Sequence, residues 1–226
     1  MNVEFNILHW IYVFIMLSGS TIVFILSRNP EKVPKIEYFL AFFIPIWSAL
    51  AYMAMALGQG MVEVEEQIAF YARYIDWVVT TPLLLLSLSL VAMYRVHKDK
   101  ILIASLICAD IVMVLSGLVA DLSTGNNRYI WFIIGMIGFL VSLFIIWVPL
   151  VKIANSQGDS LGKVYKSLAL YLTIFWIGYP TTWILGPSGL EVISQTWDTY
   201  LFVFLPMFSK VGFGLLTLFK LRALEK

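Results

Sequence analysis

Seven stretches of this chain are too long and too apolar to remain folded in water. They run near 5–27, 36–57, 70–92, 101–119, 128–151, 164–185 and 197–219. At about 1.5 Å of rise per residue, a helix of this length crosses a hydrocarbon layer of about 30 Å. A backbone in hydrocarbon must satisfy its own hydrogen bonds, so each stretch is expected to be a helix. The composition agrees, with 61% hydrophobic and only 13% charged residues, against about a quarter charged in soluble domains. The loops are short, and the 61–69 segment, Met61-VEVEEQIA, interrupts the hydropathy clearly. The expected architecture is an all-α membrane protein, one seven-transmembrane-helix bundle over 1–226. No metal site, enzymatic constellation or nucleic-acid partner is expected.

Sidedness follows from the positive charges. Arg28, Lys32 and Lys35 follow the first span, Arg95, Lys98 and Lys100 the third, and Lys152, Lys163 and Lys166 the fifth. Lys220, Arg222 and Lys226 close the chain. The N-terminus and the 58–69 and 186–196 loops carry acids such as Glu4, Glu63 and Glu191 and no Lys or Arg; Arg128 is the exception on that side. The N-terminus is therefore expected outside and the C-terminus in the cytoplasm. The first span has no basic residue before it and no small-residue cleavage pattern after it, so it reads as a membrane helix rather than a cleaved signal. Cys108, the single cysteine, lies in span four and reads as packing.

Within the last span, Lys210 stands in the middle of Leu201-FVFLPMFSKVGFGLLTLF. A lysine at that depth costs several kcal/mol and marks a functional site by default. Burial favours the neutral amine, which is a nucleophile toward aldehydes and forms a Schiff base with them. The alternative is a lysine snorkelling to the interface, which needs a position near a helix end.

Arg73, Asp76, Asp110 and Lys210 are the ionisable acids and bases well inside the spans. At about 100° per residue, Arg73, Asp76, Thr80 and Ser87 share one face of span three. That polar stripe is either a structural Arg–Asp pair or the anion that a buried cation at Lys210 requires. Asp110 competes for the second role, but its surroundings, Ser105-LICADIVMVLSG, suggest pairing with another helix. In span six, Trp176, Tyr179, Pro180 and Trp183 recur at i, i+3, i+4 and i+7. Such a stripe serves either core packing or a long flat ligand, and Pro180 gives the helix a place to bend.

Arg73-YIDWVVTTPLLLL, Trp176-IGYPTTW and Ser209-KVGFG resemble helices three, six and seven of the microbial (type 1) rhodopsins, and the likeness covers nearly the whole chain. The resemblance implies all-trans retinal bound covalently to Lys210. It implies Asp76 as counterion and primary proton acceptor, with Thr80 bonded to it and Arg73 gating the extracellular side. Trp77, Thr81, Trp176, Tyr179 and Trp183 would line the pocket, with Met113, Gly117 and Phe132 toward the ring end. Asp110 would be structural.

Departures from the family pattern sort the possible functions. Pro206 stands where outward proton pumps carry a second aspartate, which resembles the xenorhodopsin and Anabaena-sensory-rhodopsin-like group. Ser87 stands at the cytoplasmic proton-donor position and cannot supply a proton near neutral pH. The chloride-pump and sodium-pump patterns are absent at Asp76 and Thr80. The favoured expectation is a light-driven inward proton pump in a prokaryotic plasma membrane. A photosensor acting through a soluble transducer and an outward pump are the alternatives, and trimers are common in such proteins. Thr217 stands where some relatives have an acceptor aspartate, so cytoplasmic release would go to water or to Glu37. Glu37 reads otherwise as a solvated helix-start acid. Tyr52, Asp198 and His9 are possible outer-side participants, the last two alternatively being satisfied interfacial residues.

Overall fold

The computed structural model describes residues 3–65 and 67–225, with side chains from residue 6 onward. Glu4's side chain and Lys226, both used in the sidedness argument, lie outside the described residues, as does Glu66. Seven helices are long and apolar enough to cross a membrane. They are α1 (Val3–Ser27), α2 (Lys35–Ala56), α3 (Tyr71–Ala92) and α4 (Lys100–Leu122), then α5 (Asn127–Asn155), α6 (Asp159–Leu185) and α7 (Gln195–Leu224). Each expected span is a helix. α6 starts before residue 164 and α7 runs past 219, because these ends are polar turns that hydropathy does not register.

Successive helices from α1 to α5 pack side by side, and α7 closes the ring against α1, α2 and α6. Local sequence explains several ends. Asp99 caps α4 by accepting from the Ile101 and Leu102 amides, both at 3.0 Å. Ser194 does the same for α7 through the Trp197 amide. The 61–69 interruption forms a small antiparallel hairpin, β1 (Val62–Val64) with β2 (Gln67–Ala69), in which Val62 faces Ala69. Arg128, the exception to the charge sidedness, is neutralised there by Glu65 at 2.5 Å.

The bundle interior is split by polarity. A large apolar cluster of Leu84, Leu85, Leu88, Leu168, Leu172 and their neighbours fills the end away from the N-terminus. A second cluster around Tyr12, Met16, Tyr52 and Met55 fills the N-terminal end between α1 and α2. Between them lies the polar stripe of α3. Cys108 is corrected by the structure: it is exposed on the outer face of α4 rather than packed inside. Asp110 marks the buried side of this span, and Cys108, two residues and about 200° away, falls on the opposite face.

Candidate functional site

The backbone around Lys210 departs from regular helix for a reason written in the sequence. Pro206 lacks an N–H and its ring crowds the carbonyl of residue 202, four positions earlier. The turn that follows, Met207–Gly212, widens into a π-helical segment with Lys210 inside it. The Phe202 carbonyl, left without its helical donor, accepts a 2.6 Å bond from the Tyr52 hydroxyl on α2. One proline thus shapes the lysine's turn and ties α7 to α2.

Lys210 is 1% exposed, which excludes the snorkelling alternative. Its Nζ forms an ion pair with Asp76 Oδ2 and lies 2.9 Å from Ser48 Oγ. Asp76 is completely buried. It accepts from Ser48 at 2.9 Å on Oδ2 and from Thr80 at 3.2 Å on Oδ1. Thr80 also bonds back to the Asp76 carbonyl at 2.9 Å, so its rotamer is locked. A buried cation and carboxylate compensate each other's desolvation only with such geometry and with the remaining lone pairs filled. Ser48 and its 2.6 Å partner Tyr12 were missed by the sequence reading. Nothing in their local motifs separates them from ordinary polar residues in a span.

The α3 stripe is buried along its length, but Arg73 does not pair with Asp76. It donates to Asp198 of α7 at 3.0 Å, and its guanidinium lies 4.4 Å and 4.7 Å from the Phe70 and Phe202 ring centroids. The structural-pair alternative is thus corrected in its partner. Asp198, in the first turn of α7, is buried and satisfied by that cation. His9 is 1% exposed, set edge-on to Tyr52 and Phe70. Neither of its ring nitrogens has a hydrogen-bond partner among the described residues, so it is not the satisfied interfacial residue expected.

At the opposite end Glu37 is 2% exposed and accepts 2.9 Å from Ser87. The reading of Glu37 as a solvated helix-start acid is overturned, because α2 turns this first-turn acid toward α3. A cavity of about 10 Å³ lies between Glu37, Ser87, Thr217 and Lys210. The Thr217 hydroxyl is buried without a partner among the described residues.

A separate cavity of about 100 Å³ lies among α3, α4, α5, α6 and α7. The eight residues that the resemblance places around a ligand all line this cavity, including Thr81, Met113, Gly117 and Trp176. Its walls also include Tyr74, Phe139 and Phe202, which the sequence reading did not name. Trp77 and Tyr179 meet edge to face at 5.2 Å, and Phe132 stacks on Trp183 at 4.6 Å. Tyr179 links this cavity to the lysine's turn, with its hydroxyl 2.9 Å from Ser209. The indole N–H groups of Trp77 and Trp183 have no partner among the described residues. Asp110 accepts 2.7 Å from Thr81, which is the pairing with another helix expected of it. An aromatic-walled apolar cavity next to a buried primary amine fits a conjugated aldehyde such as retinal.

A sequence profile of bacteriorhodopsin-like proteins matches residues 4–224. Archaerhodopsin-3 of Halorubrum sodomense is 34% identical over 83% of this chain and 73% of its own length. Sensory rhodopsin-2 of Natronomonas pharaonis is 32% identical over 93% of this chain and 87% of its own. The crystal structure of the thermophilic rhodopsin of Rubrobacter xylanophilus superposes with a TM-score of 0.93 at 34% identity, over 98% of this chain and 97% of that one. The chain therefore belongs to the bacteriorhodopsin-like family of microbial rhodopsins, multi-pass membrane proteins that act as light-driven ion pumps or photosensors and hold retinal covalently through a lysine.

Proposed function

We propose that this chain is a light-driven inward proton pump, with retinal on Lys210 and Asp76 as counterion and primary acceptor. Bound all-trans at Lys210, retinal would supply light absorption and an isomerisation that alters which side of the bundle the Lys210 nitrogen faces. Everything else is done by the chain's own groups. Asp76 holds the proton on Nζ in the dark, Thr80 and Ser48 hold Asp76, and the aromatic walls exclude water from the amine. Arg73 closes the outer end through its ion pair with Asp198.

One observation supports the inward direction above others: the buried Glu37 carboxyl, bonded to Ser87 and lining, with Thr217, a small cavity whose wall also includes Lys210. A carboxyl held by a neutral hydroxyl, with no ion pair among the described residues, can take up a proton without breaking a salt bridge. On that reading Asp76 takes the proton from Nζ first, and Glu37 receives it from Asp76, past Thr217 and Ser87, for release to the cytoplasm. The outer side returns one to Nζ by way of His9, and each cycle moves one proton inward. Pro206 supports the same direction, because among the described residues no second carboxylate stands beside the lysine to bias exchange outward. The reading places the chain in the xenorhodopsin and Anabaena-sensory-rhodopsin-like group, as a homotrimer in a prokaryotic plasma membrane.

Illuminating an unbuffered suspension of cells that express the retinal-bound protein should make the medium more alkaline, and a protonophore should abolish the change. Acidification would establish an outward pump. A photoactive protein that leaves the pH unchanged would be a sensor working through a soluble transducer.

A further inference from the structure

Ser48 Oγ sits at the junction of three polar groups. It is 2.9 Å from Lys210 Nζ, 2.9 Å from Asp76 Oδ2 and 2.6 Å from the Tyr12 hydroxyl of α1. A serine hydroxyl has one proton to give and two lone pairs to fill. A charged amine only donates and a carboxylate only accepts, so Nζ donates to Ser48 and Ser48 donates to Asp76. Ser48 has no second proton, and Tyr12 must therefore donate to its remaining lone pair. The proton inventory fixes all three directions and leaves no group at the junction unsatisfied.

We infer that Ser48 is a proton relay between Lys210 Nζ and Asp76, and that Tyr12 is the positioning residue that holds it in line. The inference rests on the proposed role of Asp76 as primary acceptor. In the relay an N–H bond at Nζ breaks as an O–H bond forms at Ser48 Oγ. The original Ser48 O–H breaks as an O–H forms at Asp76 Oδ2. One proton has moved, and no other reactant is needed.

The network after the step is the mirror of the network before it. Ser48 then accepts from Tyr12 and from Asp76 and donates to the neutral Nζ, again with one bond out and two in. Both states are fully satisfied, so the transfer leaves no unpaired group in the dry interior, where such groups are costly. Tyr12 keeps one role throughout, and its ring is fixed by stacking on Tyr52 at 3.7 Å and 22°. Tyr52 is fixed in turn by its bond to the Phe202 carbonyl. The direct contact between Nζ and Asp76 is the competing route. With a cofactor attached Nζ keeps one proton, for which Ser48 and Asp76 are alternative acceptors.

The test compares wild type, Ser48→Ala, Ser48→Thr and Tyr12→Phe, each loaded with retinal and excited by a flash. The C=O band of protonated Asp76, identified by its absence in Asp76→Asn, is followed in the infrared. Ser48→Ala should delay the band by roughly tenfold or more, less than the roughly hundredfold or more of a positioned proton-transfer group, because the direct contact between Nζ and Asp76 remains. It should also move the band to higher frequency, because a hydrogen-bond partner is gone. Ser48→Thr should restore both, and Tyr12→Phe should give an intermediate delay. In retinal-free protein, Tyr12→Phe and Ser48→Ala delete one shared bond. Their losses of thermal stability should therefore be less than additive when combined. An unchanged rate and frequency in Ser48→Ala, or additive stability losses, would overturn the relay alone. A wild type with no visible band would overturn the retinal assignment and the relay together.

Discussion

The two ends of the polar stripe hold their acids in opposite ways. At the outer end Asp198 is locked 3.0 Å from the Arg73 guanidinium, which itself lies over two aromatic rings. At the inner end Glu37 accepts from the Ser87 hydroxyl, has no ion pair among the described residues and lines a small cavity that Lys210 also lines. Protonating an acid that is paired with a fixed buried cation leaves that cation uncompensated. An acid bonded to a neutral hydroxyl can gain or lose a proton while keeping its partner. On the proposed reading the outer end serves as a gate and the inner end as a proton store. Lys210 and Asp76 stand between them, and the account of transport follows from that asymmetry.

The largest effects should come from the centre that both ends serve. Lys210→Ala should abolish the visible band on addition of retinal, and a variant that retained a covalent chromophore would remove the basis of the comparison. Asp76→Asn should move the absorption to longer wavelength and suppress light-driven proton movement, because the amine loses the anion it is paired with. A spectrum identical to wild type would show that another group serves as counterion.

The next substitutions separate the ends. Glu37→Gln should leave the colour unchanged but reduce the light-driven proton flux by roughly a hundredfold, the low end of the range for proton-transfer groups. Full flux in that variant would mean that release bypasses the proton store. Asp198→Asn strands Arg73, and removing one partner of a buried pair costs about 3–5 kcal/mol. Its signature is a loss of thermal stability in both the retinal-free and the loaded protein. A flux loss with unaltered stability would instead make Asp198 a proton carrier rather than a gate. The smallest effect belongs to Asp110→Asn. It keeps an acceptor for Thr81, and its colour and flux should remain near wild type.

The fold was legible because length and apolarity alone place a helix in hydrocarbon, and each span appears where hydropathy puts it. Lys210, Asp76 and Thr80 were legible for a related reason, since a charge or hydroxyl stripe inside an apolar helix has few uses. Helical periodicity, however, assigns a residue to a face of its own helix and not to a neighbour. The partner of Arg73 therefore came out as Asp198 instead of Asp76, and Cys108 came out lipid-facing. Glu37 looked like a first-turn acid at the water interface because burial there depends on how α2 is rotated against α3. Ser48 and Tyr12 carry no local signal, and their importance arises only where α1, α2, α3 and α7 meet. Pro206 was read as a missing carboxylate, and the structure adds a second effect, the widened turn that carries the lysine.

The sign of the photocurrent tests the central claim most directly. In a voltage-clamped cell with equal pH on both sides and no applied potential, only the order in which the two ends exchange protons sets the current's direction. The account predicts a steady inward current carried by protons in the wild type, strongly reduced in Glu37→Gln. A steady outward current would contradict the assignment of Glu37 as acceptor and reverse the roles of the two ends.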